Sequence, residues 1–273
     1  MKKAILVISF GTTYENTRKL TIDKIEEKIR NEFKDYEIRR AFTSYKIIEV
    51  LKKRDNIIVD TPDTALEKLK QDGYEEIIIQ PLHIIPGSEY EFVKRIVEKY
   101  SEEFKKIKLG RPVLYYKGMP ENFPDDYAIM IDSIKDIIPK EKLVILMGHG
   151  SNHSSNACYS CLQLVLRDRG FHNAFIANVE GYPNIDDVLG YIKDYSSKEV
   201  TLIPLMLVAG NHALIDMAGE DEDSFKNVLI KHGFEVTPYM HGLGEIEKFQ
   251  QIYIEHIKDT IKERYEGELK GEK

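Results

Sequence analysis

Apolar residues along this chain fall into short, nearly unbroken runs, separated by longer stretches in which they recur every three or four positions. The runs AILVISF (4–10), YEIRRAF (36–42), EIIIQPL (76–82), KLGRPVL (108–114), LVILM (143–147), AFIANVE (174–180), VTLIPLMLV (200–208) and FEVTPY (234–239) have the length and β-branched content of strands. Strands apolar on both faces, with helices between them, predict parallel sheets covered on both sides, and hence an α/β fold. NTRKLTIDKIEEKIRNEF and PDTALEKLKQDG read as helices, the second with Pro62 in its first turn and Gly73 closing it. Ile246, Phe249, Tyr253, Ile257 and Ile261 recur at helical spacing and predict a closing helix. The charged tail after it, EGELKGEK, is expected to fray.

The same plan occurs twice. AILVISFGTT matches KLVILMGHGS, and IIIQPLHIIPGSEY matches VTLIPLMLVAGNHA, so two similar α/β halves are expected, 1–125 and 126–273, the second including the closing helix. Ligands of open α/β sheets bind beyond the carboxyl ends of the strands, so the glycine-containing loops of both halves should face a common cleft. In this alignment His149 stands where Phe10 stands, and His212 where Glu89 stands. A scaffold repeated for folding thus carries different polar groups for chemistry.

Charge and composition narrow the partners. A net charge of −7 argues against nucleic acid or a membrane surface, both of which are anionic. No stretch approaches the roughly 18 apolar residues of a membrane span, and MKKAILVISFG, which lacks a small-residue cleavage site, reads as the first strand. A cytoplasmic protein is expected. Only Cys158 and Cys161 occur, too few for a disulfide framework, and ACYSCL reads as two thiols on one helix. The absence of G-x-G-x-x-G, G-x-S-x-G and a GKS or GKT ending weakens dinucleotide, hydrolase and phosphate-loop readings.

Three strand ends offer metal-binding groups: His149 between Gly148 and Gly150, Glu180 before GYP, and His212 after VAGN. Glycines on both sides of His149 let the backbone turn and let a ligand approach. Two imidazoles and a carboxylate suit a borderline divalent ion such as Zn²⁺, Co²⁺, Ni²⁺ or Fe²⁺, although polar residues at strand ends also serve as caps and loop anchors. Glu89 reads equally as the first residue of a helix or as a general base. His83 is a candidate lining residue, His153 a cap or rim residue, and His172, His232, His241 and His256 are expected to be solvated or capping. The acidic stretch DMAGEDEDSFK lacks the periodicity of a calcium loop and reads as a solvated helix start.

The runs SFGTTYENTR, RAFTSYKII, RDNIIVDTPDTALEKL, QPLHIIPGSEYE, MGHGSNH, VEGYP, PLMLVAGNHALIDMAGEDEDSFK and GLGE together resemble the anaerobic cobalt chelatases of the CbiK type, in order over about residues 1–262. The resemblance implies a class II chelatase with two flavodoxin-like halves around a cleft, related in fold to ferrochelatases. It implies insertion of Co²⁺, as substrate metal, into sirohydrochlorin, with no ATP and no organic cofactor, in the anaerobic cobalamin pathway. Residue by residue it places the metal at His149, Glu180 and His212 and the acidic group of the first half at Glu89. One departure is Asn211, where the family often has Asp.

Metal insertion exchanges two pyrrole N–H protons for one divalent ion, so His149 and His212 would hold the metal while Glu89, and Glu180 when not a ligand, accept protons. The polycarboxylate macrocycle would meet Phe10, Gly11, Thr12, Thr13, Ser44, Lys46 and His83 in the first half and Gly150, Ser151 and Asn152 in the second. Iron or nickel insertion into the same or a related tetrapyrrole, a non-catalytic tetrapyrrole or metal carrier, and a zinc hydrolase remain alternatives, and a homo-oligomer is compatible with the sequence.

Overall fold

Each of the eight apolar runs overlaps a strand, the run 108–114 only at Lys108 and Leu109. The structure, a computed structural model, describes residues 1–118 and 123–265, so the tail EGELKGEK lies outside the described residues. The first half runs β1 (Lys3–Ser9), α1 (Glu15–Leu20), α2 (Ile22–Glu32), β2 (Glu37–Phe42), α3 (Tyr45–Asp55), α4 (Pro62–Gln71), β3 (Glu76–Pro81), α5 (Ser88–Lys99) and β4 (Lys106–Leu109). The second runs α6 (Asp126–Ile134), β5 (Leu143–Gly150), α7 (Ala157–Asp168), β6 (Ala174–Glu180), α8 (Ile185–Ile192), β7 (Glu199–Pro204), α9 (Phe225–Lys231), β8 (Glu235–Pro238) and α10 (Glu247–Ile261). The strands form two four-stranded sheets, β2-β1-β3-β4 and β6-β5-β7-β8, with every pairing parallel.

The repeat extends to single hydrogen bonds. Ile8 pairs with Pro81 and Met147 with Pro204, and the next residue donates in the same way: Leu82 N to Ile8 O at 2.7 Å, Leu205 N to Met147 O at 2.8 Å. By this register His149 is the counterpart of Phe10, and His212 of Glu89, as in the sequence alignment. Two strands are shorter than expected. β4 ends before Gly110-Arg111-Pro112, where the proline has no N–H for a ladder, and β7 ends at Pro204, leaving LMLVAG as the loop that leads to His212.

Each unit has its own core. In the first, Ala4, Leu6 and Ile8 of β1 and Ile77 and Ile79 of β3 share a cluster with Leu66 and Leu69 of α4 and Val93 and Ile96 of α5. In the second, Leu143, Ile145 and Met147 of β5 pack with Leu202 of β7, Val188 and Ile192 of α8, and Leu229 of α9. The alternate residues of a strand point to one face, which is why positions two apart gather in one cluster. The outer edge of β6 is closed by a side chain: Gln163 of α7 donates to Ala174 O (2.9 Å) and accepts from Ile176 N (2.7 Å).

The division of the chain departs from the expected halves. One compact unit is Met1–Asp126 together with the segment from Gln250 onward, and the other is Tyr127–Phe249. The closing helix, assigned to the second half on sequence, therefore belongs to the first from its second turn. Polar contacts hold it there: Tyr253 Oη donates to Leu82 O (3.1 Å), and the Arg111 guanidinium bridges Asp259 (2.9 Å) and Asp126 (3.1 Å). His256, expected to be solvated or capping, is 2% exposed; its Nδ1 meets Arg111 O at 3.1 Å, and burial holds its pKa below the ordinary histidine value. Cys158 and Cys161 are half-buried thiols on α7, not joined in a disulfide, as the sequence suggested. Among the described residues no helix is long and apolar enough to cross a membrane.

Asp126 accepts from both the Arg111 guanidinium and Tyr116 N (2.9 Å), with its side chain fully buried. Asp126→Ala is expected to lower the unfolding free energy by about 3–5 kcal/mol, because it leaves a buried guanidinium short of charge. Urea denaturation followed by circular dichroism measures this, and a loss below about 1 kcal/mol would show that the network contributes little.

Candidate functional site

β5 lies between β6 and β7, at the point where the connections of the second sheet change direction, and such points are where open α/β sheets bind ligands. His149 occupies the second-to-last position of β5 and is exposed, while Leu143 to Gly148 before it are buried. From the neighbouring strand, the loop after β7 delivers His212 to the start of a single π-helical turn, Ala213–Met217. The two imidazoles meet edge to face, with ring centroids 4.6 Å apart and planes at 84°.

Hydrogen bonds fix which nitrogen each ring offers. His149 Nδ1 lies 3.0 Å from Gly150 O, and a carbonyl oxygen only accepts, so Nδ1 carries the hydrogen. His212 Nδ1 lies 2.8 Å from the Asp216 carboxylate, again an acceptor. In the neutral rings the lone pair then sits on Nε2 of both residues, which is the arrangement of a metal-ligating histidine whose other nitrogen is held by an oxygen.

Gly150 turns the backbone as expected, and the glycines on both sides of His149 also serve the packing. A β-carbon on Gly150, whose φ is +78°, would overlap the carbonyl oxygen of Glu180, and one on Gly148 would collide with Asn178 and Tyr159. The space a β-carbon would need is taken by the protein's own neighbouring strand and helix. Glu180 ends β6 in register with Gly150, and its side chain is exposed. Among the described residues no group of three His, Cys, Asp or Glu side chains is placed to hold a metal, and His149 and His212 stand together as a pair.

Residues 3–262 match the family described as cobalt chelatase (CbiK). The chain belongs to the cobalt chelatase (CbiK) family. It is 38% identical over 264 residues to the sirohydrochlorin cobaltochelatase of Salmonella typhimurium, covering 96% of this chain and 97% of that protein. It is 30% identical over 266 residues to sirohydrochlorin cobaltochelatase CbiKC of Nitratidesulfovibrio vulgaris, covering 95% and 91%. Among solved structures, SirB from Bacillus subtilis with Fe³⁺ shares the fold, with a TM-score of 0.64 at 17% identity over 95% of this chain and 96% of that one.

In this CbiK-family chain the remaining candidates divide by what holds them. Ser44 accepts from Ile47 N (3.4 Å) and caps α3; Thr12 accepts from Tyr14 N (3.2 Å); Ser151 accepts from His153 N (3.0 Å). His153 itself accepts from Ser155 N (3.2 Å), which makes it a cap. Gly11, at φ +93°, faces the ring of Phe42, with no room for a β-carbon. Phe10 and Lys46 are exposed, Thr13 half-buried, and Glu89 lies exposed in the first turn of α5. One residue passed over on sequence is Asp216: its stretch reads as solvated, and only its spacing of four from His212 hinted at a shared face.

His83 stands apart. Both its ring nitrogens are buried without a hydrogen-bond partner, and burial pushes its pKa down to about 4. Its counterpart in the second sheet is Met206, packed against that unit's core, so an apolar residue is compatible with the position.

Two predictions follow from this geometry. Gly150→Ala should separate β5 from β6 at their ends and destabilise the chain well beyond the ~1 kcal/mol of an ordinary Gly→Ala change at positive φ; a wild-type melting curve would refute the steric account. For His83, the unfolded chain takes up a proton near pH 6.5 and the folded one only near 4, so stability falls as pH drops through that window. His83→Met should remove about 2 kcal/mol of the stability lost between pH 7 and pH 5, read by denaturant unfolding at both pH values.

Proposed function

We propose that this chain is a sirohydrochlorin cobaltochelatase, inserting Co²⁺ into sirohydrochlorin without ATP and with release of two protons, in cobalamin biosynthesis. The observation that carries this reading is the His149–His212 pair, with Nδ1 of each ring engaged and Nε2 left as the donor atom, in a member of the cobalt chelatase family. The two relatives named sirohydrochlorin cobaltochelatase, matched over nearly their full length, support the substrate.

The arrangement suits transfer better than storage. Two imidazoles are borderline ligands for Co²⁺ and leave most of its coordination positions to water or to pyrrole nitrogens. A metal held by a closed set of four protein ligands would instead be a structural site. Each macrocycle nitrogen that binds the ion replaces one solvent or imidazole ligand, and two of the four must first lose a proton. Glu180 and Glu89, each exposed beyond the carboxyl end of a strand in its own unit, are the carboxylates assigned to proton uptake. Holding the ion on neutral nitrogens keeps it electrophilic, so the pyrrole N–H bonds it approaches become more acidic.

The test is anaerobic visible spectroscopy of sirohydrochlorin with Co²⁺, repeated with Fe²⁺ and Ni²⁺. Wild type should accelerate the spectral change of cobalt insertion with multiple turnovers, and His149→Ala and His212→Ala should each slow it by more than roughly 100-fold. Binding of the macrocycle with metallation at the uncatalysed rate would convert the reading to a carrier, and faster turnover with iron or nickel would reassign the metal.

A further inference from the structure

The two sheets share one scaffold, and the place where they diverge marks a residue with no assigned role. After β3 and β7 the chain re-enters a helix with the same first bond, Glu91 N to Gly87 O (3.0 Å) in one unit and Leu214 N to Gly210 O (3.1 Å) in the other. In α5 the inward residues Tyr90, Val93 and Ile96 are three apart, as an α-helix packs them. In the second unit the inward residues are Ala213 and Met217, four apart, on a turn that is π-helical, with Ala218 N donating to Ala213 O (3.2 Å). The residue counted from the start as the match of buried Val93 is Asp216, which is not buried; its carboxylate lies against His212 Nδ1 at 2.8 Å. π turns are rare and gather at functional sites, and here the widened turn keeps the core contact while presenting a carboxylate beside His212.

We infer that Asp216 is a positioning residue for metal delivery: it holds His212 in the Nδ1–H tautomer, fixes the ring plane, and makes Nε2 the better donor to Co²⁺. The inference rests on the metal-site reading of His149 and His212 given above. It separates the two ligands by chemistry, since His149 has only the neutral carbonyl of Gly150 behind it whereas His212 has a carboxylate. A charge-assisted hydrogen bond to a carboxylate holds a ring more firmly than one to a neutral carbonyl, so His212 is the stronger anchor and His149 the ligand released first. It also locates that carboxylate at Asp216 rather than at residue 211, where this chain has Asn.

The experiment uses the full chain without macrocycle and has two readouts. Long-range ¹H–¹⁵N spectra of metal-free, histidine-labelled protein report the tautomer of each ring, and titration with Co²⁺ alone, followed by its visible bands, reports affinity. Wild type should show His212 in the Nδ1–H form; Asp216→Ala should release that preference, leave the His149 signals in place as a check of folding, and weaken Co²⁺ binding roughly 10- to 100-fold. Asp216→Asn can keep the tautomer through its amide oxygen but loses the charge, and should fall between, about 5-fold weaker or more. An unchanged His212 tautomer and Co²⁺ affinity in Asp216→Ala would overturn the inference. Where that variant does not fold, Asp216→Asn decides alone, and an affinity within about threefold of wild type overturns it. His212→Ala separates the two levels: if it inserts cobalt at the wild-type rate, the metal-site reading and this inference fall together, and if it is inactive while Asp216→Ala is unaffected, only the inference falls.

Discussion

β5 and β6 stay paired to their last residues because residue 150 carries no β-carbon: any side chain there would stand on the carbonyl oxygen of Glu180. That close approach fixes the backbone on both sides of His149. The Gly150 carbonyl then becomes the acceptor that sets the ring's tautomer, and the ring becomes a firm edge against which His212 rests. A looser strand end would still hold a histidine, but its donor atom would wander by more than the fraction of an ångström that ligation tolerates. The placement of both imidazoles thus depends on a contact between two main chains.

The two halves show how a repeated scaffold acquires one specialised end. Matching ladder bonds at Ile8–Leu82 and Met147–Leu205 keep both sheets in register, and the buried strands on either side are interchangeable in character. The change that bears on the site lies at the carboxyl edge, where Phe10 gives way to His149, Glu89 to His212, and an α-helical turn to a π-helical one. Side chains at that edge contribute little to either core, so they can differ without cost to the sheets beneath them.

Much of this was legible in the chain itself. Strands buried on both faces need unbroken apolar runs, so all eight were recognisable, and the internal alignment matched His149 with Phe10 and His212 with Glu89, as the two registers do. The misreadings have physical causes. The closing helix has an ordinary apolar period, and what assigns it to the first unit is a buried set of charges, Arg111 with Asp126 and Asp259, whose partners lie far apart in sequence. Asp216 sits in an acidic stretch that reads as solvated, and its spacing of four from His212 becomes a contact only in the folded turn. The hydroxyls of Thr12, Ser44 and Ser151 accept from local backbone N–H groups, contacts that spacing alone does not show.

The amide of Gln163 mimics a fifth strand. By taking one carbonyl and one N–H on the free side of β6, it gives the sheet border the hydrogen bonds that another polypeptide would otherwise provide. A border satisfied from within offers no template for edge-to-edge polymerisation along Ala174–Ile176. Two copies meeting in a crowded solution therefore have less reason to zip their sheets together there, and colloidal stability becomes a property of a single glutamine on an adjacent helix.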